Sequence, residues 1–240
     1  MGSMSKGASA YGNFPPGTLS RDGSVHVTDE FYNTVISAAG AGLALIGTIF
    51  LIFSSASAHK PWHVLSFSIY GAALVNLFLA SAFHHGLRGS ERIMHFLRQL
   101  DYFAIFVMIA GTFTPFCLIL LRRALLGWSV LGMIWFLAVL GILLKALWPE
   151  LPKWLSTVLY IGMGWLGLAI ASPIYQNSPR GLGALVLGGA FFTVGAIIFY
   201  LEKPNPIPGR FGFHEIWHFF VLAGAASHFF VMYAYLKPLP

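Results

Sequence analysis

Charge is what this chain has least of. Asp, Glu, Lys and Arg together make up 9% of its 240 residues, while 57% are hydrophobic. Soluble domains carry about a quarter charged residues, so this sequence lacks the material for a water-facing surface. Cysteine is nearly missing too. The one thiol, Cys117, lies inside an apolar stretch, which excludes an intramolecular disulfide and suits a packing role. Lys and Arg outnumber Asp and Glu by 14 to 8, yet they stand singly between apolar segments, with no strip interleaving them with aromatics. Nucleic acid is therefore not an expected partner. Residues 1–28, rich in Gly, Ser and Pro, contain no apolar core of signal-peptide length. Lys6 stands where a myristoylation signal needs Ser or Thr. The expectation is a flexible tail over 1–28, its MGS before a second Met resembling a cloning remnant, and one domain over 29–240.

What the chain does have is long apolar runs. Seven are found, at 34–54, 62–84, 102–121, 124–146, 155–175, 181–201 and 215–236. Each reaches the roughly 20 residues a helix needs to cross a bilayer. The intervals hold nearly all the charge and many prolines, as in PELPK at 149–153 and EKPNPIPGR at 202–210. The fold expected is all-α: a polytopic membrane protein built as a seven-transmembrane helix bundle. Small residues in SAAGAGLAL (37–45) and GALVLGGA (183–190) suit close helix packing in lipid. Counting Lys and Arg on alternate sides gives nine with the N-terminus and the even-to-odd loops against five opposite. That bias puts the N-terminus in the cytoplasm and the C-terminus outside, in a plasma or bacterial inner membrane.

The same alternation sorts the polar residues. His85 ends the second helix, Asp101 opens the third, and His214 and His218 open the seventh, so all four are expected at one membrane face, the cytoplasmic one. Ser81 lies one turn before His85 on the same helical side, while His84 points about 100° away. Residues 214–218 read HEIWH, the H-E-x-x-H spelling of zinc proteases. The Asp-Gly pair that an intramembrane protease would add occurs only at 22–23, in the tail. Three imidazoles and a nearby carboxylate meet the ligand demand of zinc without the protease reading. Glu215 is then expected to face headgroups or a loop arginine. His228, about 15 Å further along the last helix than His218, reads as a core histidine bonded to a neighbouring helix or as part of a cavity wall. His26, His59, His63 and His95 read as solvated tail or loop residues.

SAFHH (81–85), LDYFAIFVMIAGTFTPF (100–116), GGAFFTVGAIIFY (188–200) and HEIWHFFVLAGAASHFF (214–230) resemble the hemolysin III proteins. These are the bacterial branch of the progestin and adipoQ receptor family, related to adiponectin receptors and more distantly to alkaline ceramidases. The resemblance covers about residues 29 to 236. It implies a seven-helix bundle, N-terminus inside, with zinc near the cytoplasmic face held by His85, His214 and His218. Asp101 would hold the water at the zinc and Ser81 would line the site. One departure is visible: where the family has a Thr-His-Gly run in the first span, this chain has NTVISAAG (33–40), with Ser37 and Ala38.

The function this implies is zinc-dependent hydrolysis of a membrane lipid amide, ceramide-like, with lipid as substrate or ligand. Asp101 would then act on the water and Ser81 on the developing oxyanion. A non-enzymatic sensor or receptor with a structural zinc stands as the alternative, and a cytolysin as a further one. No run carries the continuous polar stripe of a large pore, and no inverted repeat points to a transporter.

Overall fold

The computed structural model describes residues 30–149 and 151–240. The tail expected over 1–28 lies outside the described residues. Seven helices long and apolar enough to cross a membrane follow one another: α1 Glu30–Ser57, α2 Pro61–Gly86, α3 Glu91–Leu120, α4 Leu125–Leu147, α5 Lys153–Asn177, α6 Pro179–Leu201 and α7 Phe213–Leu236. No strand occurs among the described residues; a single bridge between Ile207 and Phe211 closes the α6–α7 loop. Six of the seven begin and end within a few residues of the apolar runs. The exception is α3, which starts at Glu91, so Asp101 sits well inside the helix. Its first turns, ERIMHFLRQL, are too polar to be counted as a membrane run, and hydropathy marks the buried length of a helix, not its hydrogen-bonded length.

The bundle is turned inside out relative to a soluble one. Large apolar side chains face outward, including Phe53, Leu125 and Leu147, while Asn33, Ser37, Ser66, His85 and Glu215 are fully or almost fully buried. On α1 the buried set Asn33, Ser37, Gly40, Ala41, Ala44, Thr48, Leu51 and Ser55 recurs at helical spacing, so its inward face is the small and polar one. That is what lipid demands, because side chains facing hydrocarbon gain nothing from hiding apolar surface.

Helix α1 packs on α2 and α7, α2 on α3, α3 on α4, and α6 on α7. Small residues set these distances. A Cβ at Gly71 of α2 would lie 2.1 Å from Thr48 of α1. Both intrahelical prolines mark a change of winding. Pro115 precedes a wider turn at Phe116–Leu120, and Pro173 follows a tightened one at Leu166–Ile170. Each proline removes a backbone donor from the ladder and crowds the carbonyl four residues back. At one end of the bundle Lys60 donates to the carbonyls of Lys237 and Leu239, at 3.2 and 2.6 Å, tying the α1–α2 loop to the chain's last residues. His63 lies at this end as well. It is buried and its Nε2–H donates to the Leu236 carbonyl at 3.2 Å, so it is not the solvated residue its place near a loop suggested.

Candidate metal centre

The opposite end gathers the start of α1, the end of α2, the early turns of α3 and the start of α7. His85, His214 and His218 are all buried there, and each offers a ligand nitrogen within 4.8 Å of the others, so the cluster could hold a metal ion. His85 Nε2 lies 3.3 Å from His218 Nε2. The His214 and His218 rings lie 32° from parallel, as expected one turn apart, and His85 meets them edge-on at 88° and 90°.

Local structure explains why these rings are held. Helix α7 begins where Asn205 accepts from the Phe213 N–H at 3.1 Å and itself donates to the Glu202 carbonyl at 3.0 Å. That fixes the α6–α7 loop, whose turn at Gly209 has φ +79°, a backbone conformation glycine adopts without a Cβ penalty. Phe199 of α6 packs edge-on against His214, with centroids 5.4 Å apart. Glu215, third residue of the helix and second of HEIWH, is completely buried and accepts from the Gly212 N–H at 2.7 Å, which ties down one backbone donor at the start of α7. Asn33 of α1 lies beside the same carboxylate. Glu215 therefore faces neither headgroups nor a loop arginine. The sequence could not show this because a cap and a catalytic base share one spelling.

Asp101 is half-buried, and its carboxylate clusters with His84 and His85, again within 4.8 Å. His84 does not point away from the site. Its ring lies 4.7 Å from that of His85, it is buried, and it lines the same cavity as Asp101. The turn between neighbouring residues moves a side chain around the helix, but α1 and α3 pack on α2 and α7 meets it at His85, so both directions end in the interior. Ser81 is buried beside them and shares a 3.0 Å hydrogen bond with Ser37 of α1. Ser37 thus reaches across to α2 from the α1 segment in which the sequence departs from the Thr-His-Gly pattern.

Two residues that sequence reasoning passed over belong to the same end. Glu30, in the first turn of α1, places Oε2 2.6 Å from His85 Nδ1, and Asn33 is buried one turn later. Both precede the apolar run at 34–54, which is why neither was singled out. The signal was present as Glu30, Asn33 and Ser37 at spacings of three and four, a polar stripe leading into an apolar helix.

From this cluster a cavity of ≈ 250 Å³ runs into the bundle. His214, His218, Asp101 and Ser81 line one end; Leu77, Ile109, Phe113, Phe116 and Leu185 line its length, and His228 borders it deeper in. Asp101 and Phe116 are fifteen residues apart on α3, so the cavity reaches roughly 20 Å along that helix. His228 is both wall and core: its Nε2–H donates to the Leu185 carbonyl at 3.1 Å.

A family model described as "Haemolysin-III related" matches residues 25–229. The chain is 37% identical to Hemolysin-3 of Bacillus cereus over 213 residues, covering 88% of this chain and 94% of that protein. It is 35% identical to a Hemolysin-3 homolog of Bacillus subtilis (strain 168) over 215 residues, covering 89% and 97%. Human monocyte to macrophage differentiation factor is 27% identical over 183 residues, 75% of this chain and 74% of that one.

Proposed function

The chain belongs to the haemolysin-III related family, and from that membership and the geometry where α2 meets α7 we propose a zinc-dependent hydrolase of a ceramide-like membrane lipid amide. The observation that carries the reading is the 3.3 Å between His85 Nε2 and His218 Nε2. Two nitrogens on one tetrahedral zinc, each at about 2.0–2.1 Å, stand roughly 3.3–3.4 Å apart. The pair therefore already has the separation of neighbouring ligands, and His214 supplies the third donor. An all-imidazole set suits zinc and argues against calcium or magnesium, which take oxygen ligands.

Zinc held there supplies Lewis acidity and a nucleophile usable at neutral pH. The chain's own residues do the rest. Asp101 stands beyond the three-histidine set, clustered with His84 and His85, where its carboxylate accepts a proton from the attacking water and returns it to the departing amine. Ser81, fixed by Ser37, offers its hydroxyl to the oxygen that becomes negative during attack. The apolar length of the cavity takes the acyl chain and excludes water, and its direction sets the carbonyl at the histidine end. In the membrane this end faces the cytoplasm, following the charge bias of the loops.

A second reading draws on the way α1, α2 and α7 already meet at this end through Glu30–His85 and His85–His218. Zinc would then be a structural clasp in a membrane sensor or receptor. The test is fatty-acid release from an N-acylsphingosine in nanodiscs, read by mass spectrometry, with wild-type chain and Asp101→Asn. The hydrolase reading expects release by the zinc-loaded wild type and none by the variant, which keeps its metal. Metal without release selects the clasp, and a chain that takes up no zinc sinks both.

A further inference from the structure

His85 is the only one of the three clustered histidines that comes from α2, and its ring is held from outside the cluster. Its Nδ1 lies 2.6 Å from Glu30 Oε2, with 1% of the histidine side chain and 21% of the glutamate side chain exposed. That distance is at the short end for nitrogen and oxygen and marks a charge-assisted hydrogen bond. An ionised carboxylate only accepts, so the proton of the neutral ring sits on Nδ1 and the lone pair is left on Nε2. Nε2 is the nitrogen that faces His218. Charge points the same way. Three neutral imidazoles around a divalent cation leave two positive charges at a buried place, and burying net charge is costly unless it is offset. Asp101 and Glu30 flank His85 from α3 and α1, which brings two carboxyl groups to the same spot to offset it.

The geometry points to Glu30 as the positioning residue of the metal centre: it sets the tautomer and ring orientation of His85 and offsets part of the cation's charge. This rests on the reading of the three histidines as a metal site and extends it to α1, which supplies none of them. The first turn of α1 then belongs to the site although it lies outside the apolar run.

Metal affinity of the full-length chain in detergent, measured by zinc competition with a chromophoric chelator, tests this together with the visible spectrum of the cobalt-loaded protein. Glu30→Ala is expected to bind zinc about 10–100-fold more weakly and to shift the cobalt bands as His85 rotates. Glu30→Gln keeps an acceptor for Nδ1–H without the charge. It is expected to restore the wild-type cobalt spectrum with an affinity between the other two. Wild-type affinity and spectrum in Glu30→Ala overturn the proposal, as does a Glu30→Gln spectrum that matches Glu30→Ala. Should Glu30→Ala not fold, Glu30→Asp takes its place: it keeps the charge but withdraws the acceptor by one methylene, so wild-type affinity and spectrum there overturn the proposal. A wild type that binds no metal removes the metal reading and this role together, whereas a metal-binding wild type with an indifferent Glu30→Ala removes this role alone.

Discussion

Replacing His218 by alanine is the perturbation that bears most directly on the metal centre. The side chain is buried, its Nε2 faces His85 Nε2 at 3.3 Å, and its ring lies 4.9 Å from that of His214. Truncation at Cβ removes one of three nitrogens and leaves two, with no other histidine on that turn of α7 to replace it. Loss of a residue that only supports a ligand already costs about 10–100-fold in affinity. Loss of a ligand itself is therefore expected to exceed about 100-fold, or more than about 2.7 kcal/mol. The assay is metal content per chain after equilibration in a zinc buffer set by a chelator. His228→Ala serves as the control, since that ring lies deeper in the cavity and bonds to the Leu185 carbonyl. The expected result is near-stoichiometric zinc in wild type and His228→Ala and almost none in His218→Ala. Stoichiometric zinc in His218→Ala, at a free zinc concentration buffered about tenfold above the wild-type Kd, would refute the placement of the ion among these three rings.

Other outcomes follow from neighbouring residues. Glu215→Ala should keep both zinc and any lipid hydrolysis while lowering the melting temperature in detergent, since a cap contributes about 0.5–2 kcal/mol; complete loss of turnover with metal retained would restore the protease-like role. Ser81→Ala is expected to slow fatty-acid release by about 100-fold or more with zinc content unchanged, the usual effect of removing one oxyanion donor, and unchanged kcat would argue that Ser81 only packs. Gly71→Ala puts a methyl where Thr48 lies 2.1 Å away and should destabilise the α1–α2 contact by about 1–3 kcal/mol, seen as earlier thermal unfolding. The paired change Gly71→Ala with Thr48→Ala should recover much of that loss, and failure to recover would mean the contact is not what sets the spacing.

How much of this was legible beforehand depends on the kind of signal. The membrane spans could be read from hydropathy alone because lipid imposes the same requirement on every residue facing it. The polar start of α3 broke that rule and was missed, placing Asp101 at an opening it does not occupy. The histidines could be singled out because polar side chains are rare in such runs, and alternation of spans put them at one end. Glu30 and Asn33 escaped because they lie just before an apolar run, where charge is ordinary. His84 and Glu215 were misjudged for a different reason. Their roles depend on which helices close around them, and a single helix's periodicity carries no such information.

The sequence by itself determined that this is a bundle of seven membrane helices, which residues are too polar to face lipid, and at which end they collect. Those properties are local sums over each segment, and they survive without knowledge of neighbours. Only the tertiary structure decided that His85 and His218 stand at ligand spacing, that α1 supplies a carboxylate to one of them, and that the glutamate of HEIWH closes a helix end. Distances between side chains on different helices are set by packing across the bundle, through contacts such as Gly71 on Thr48 and Phe199 on His214. No residue encodes such a distance alone.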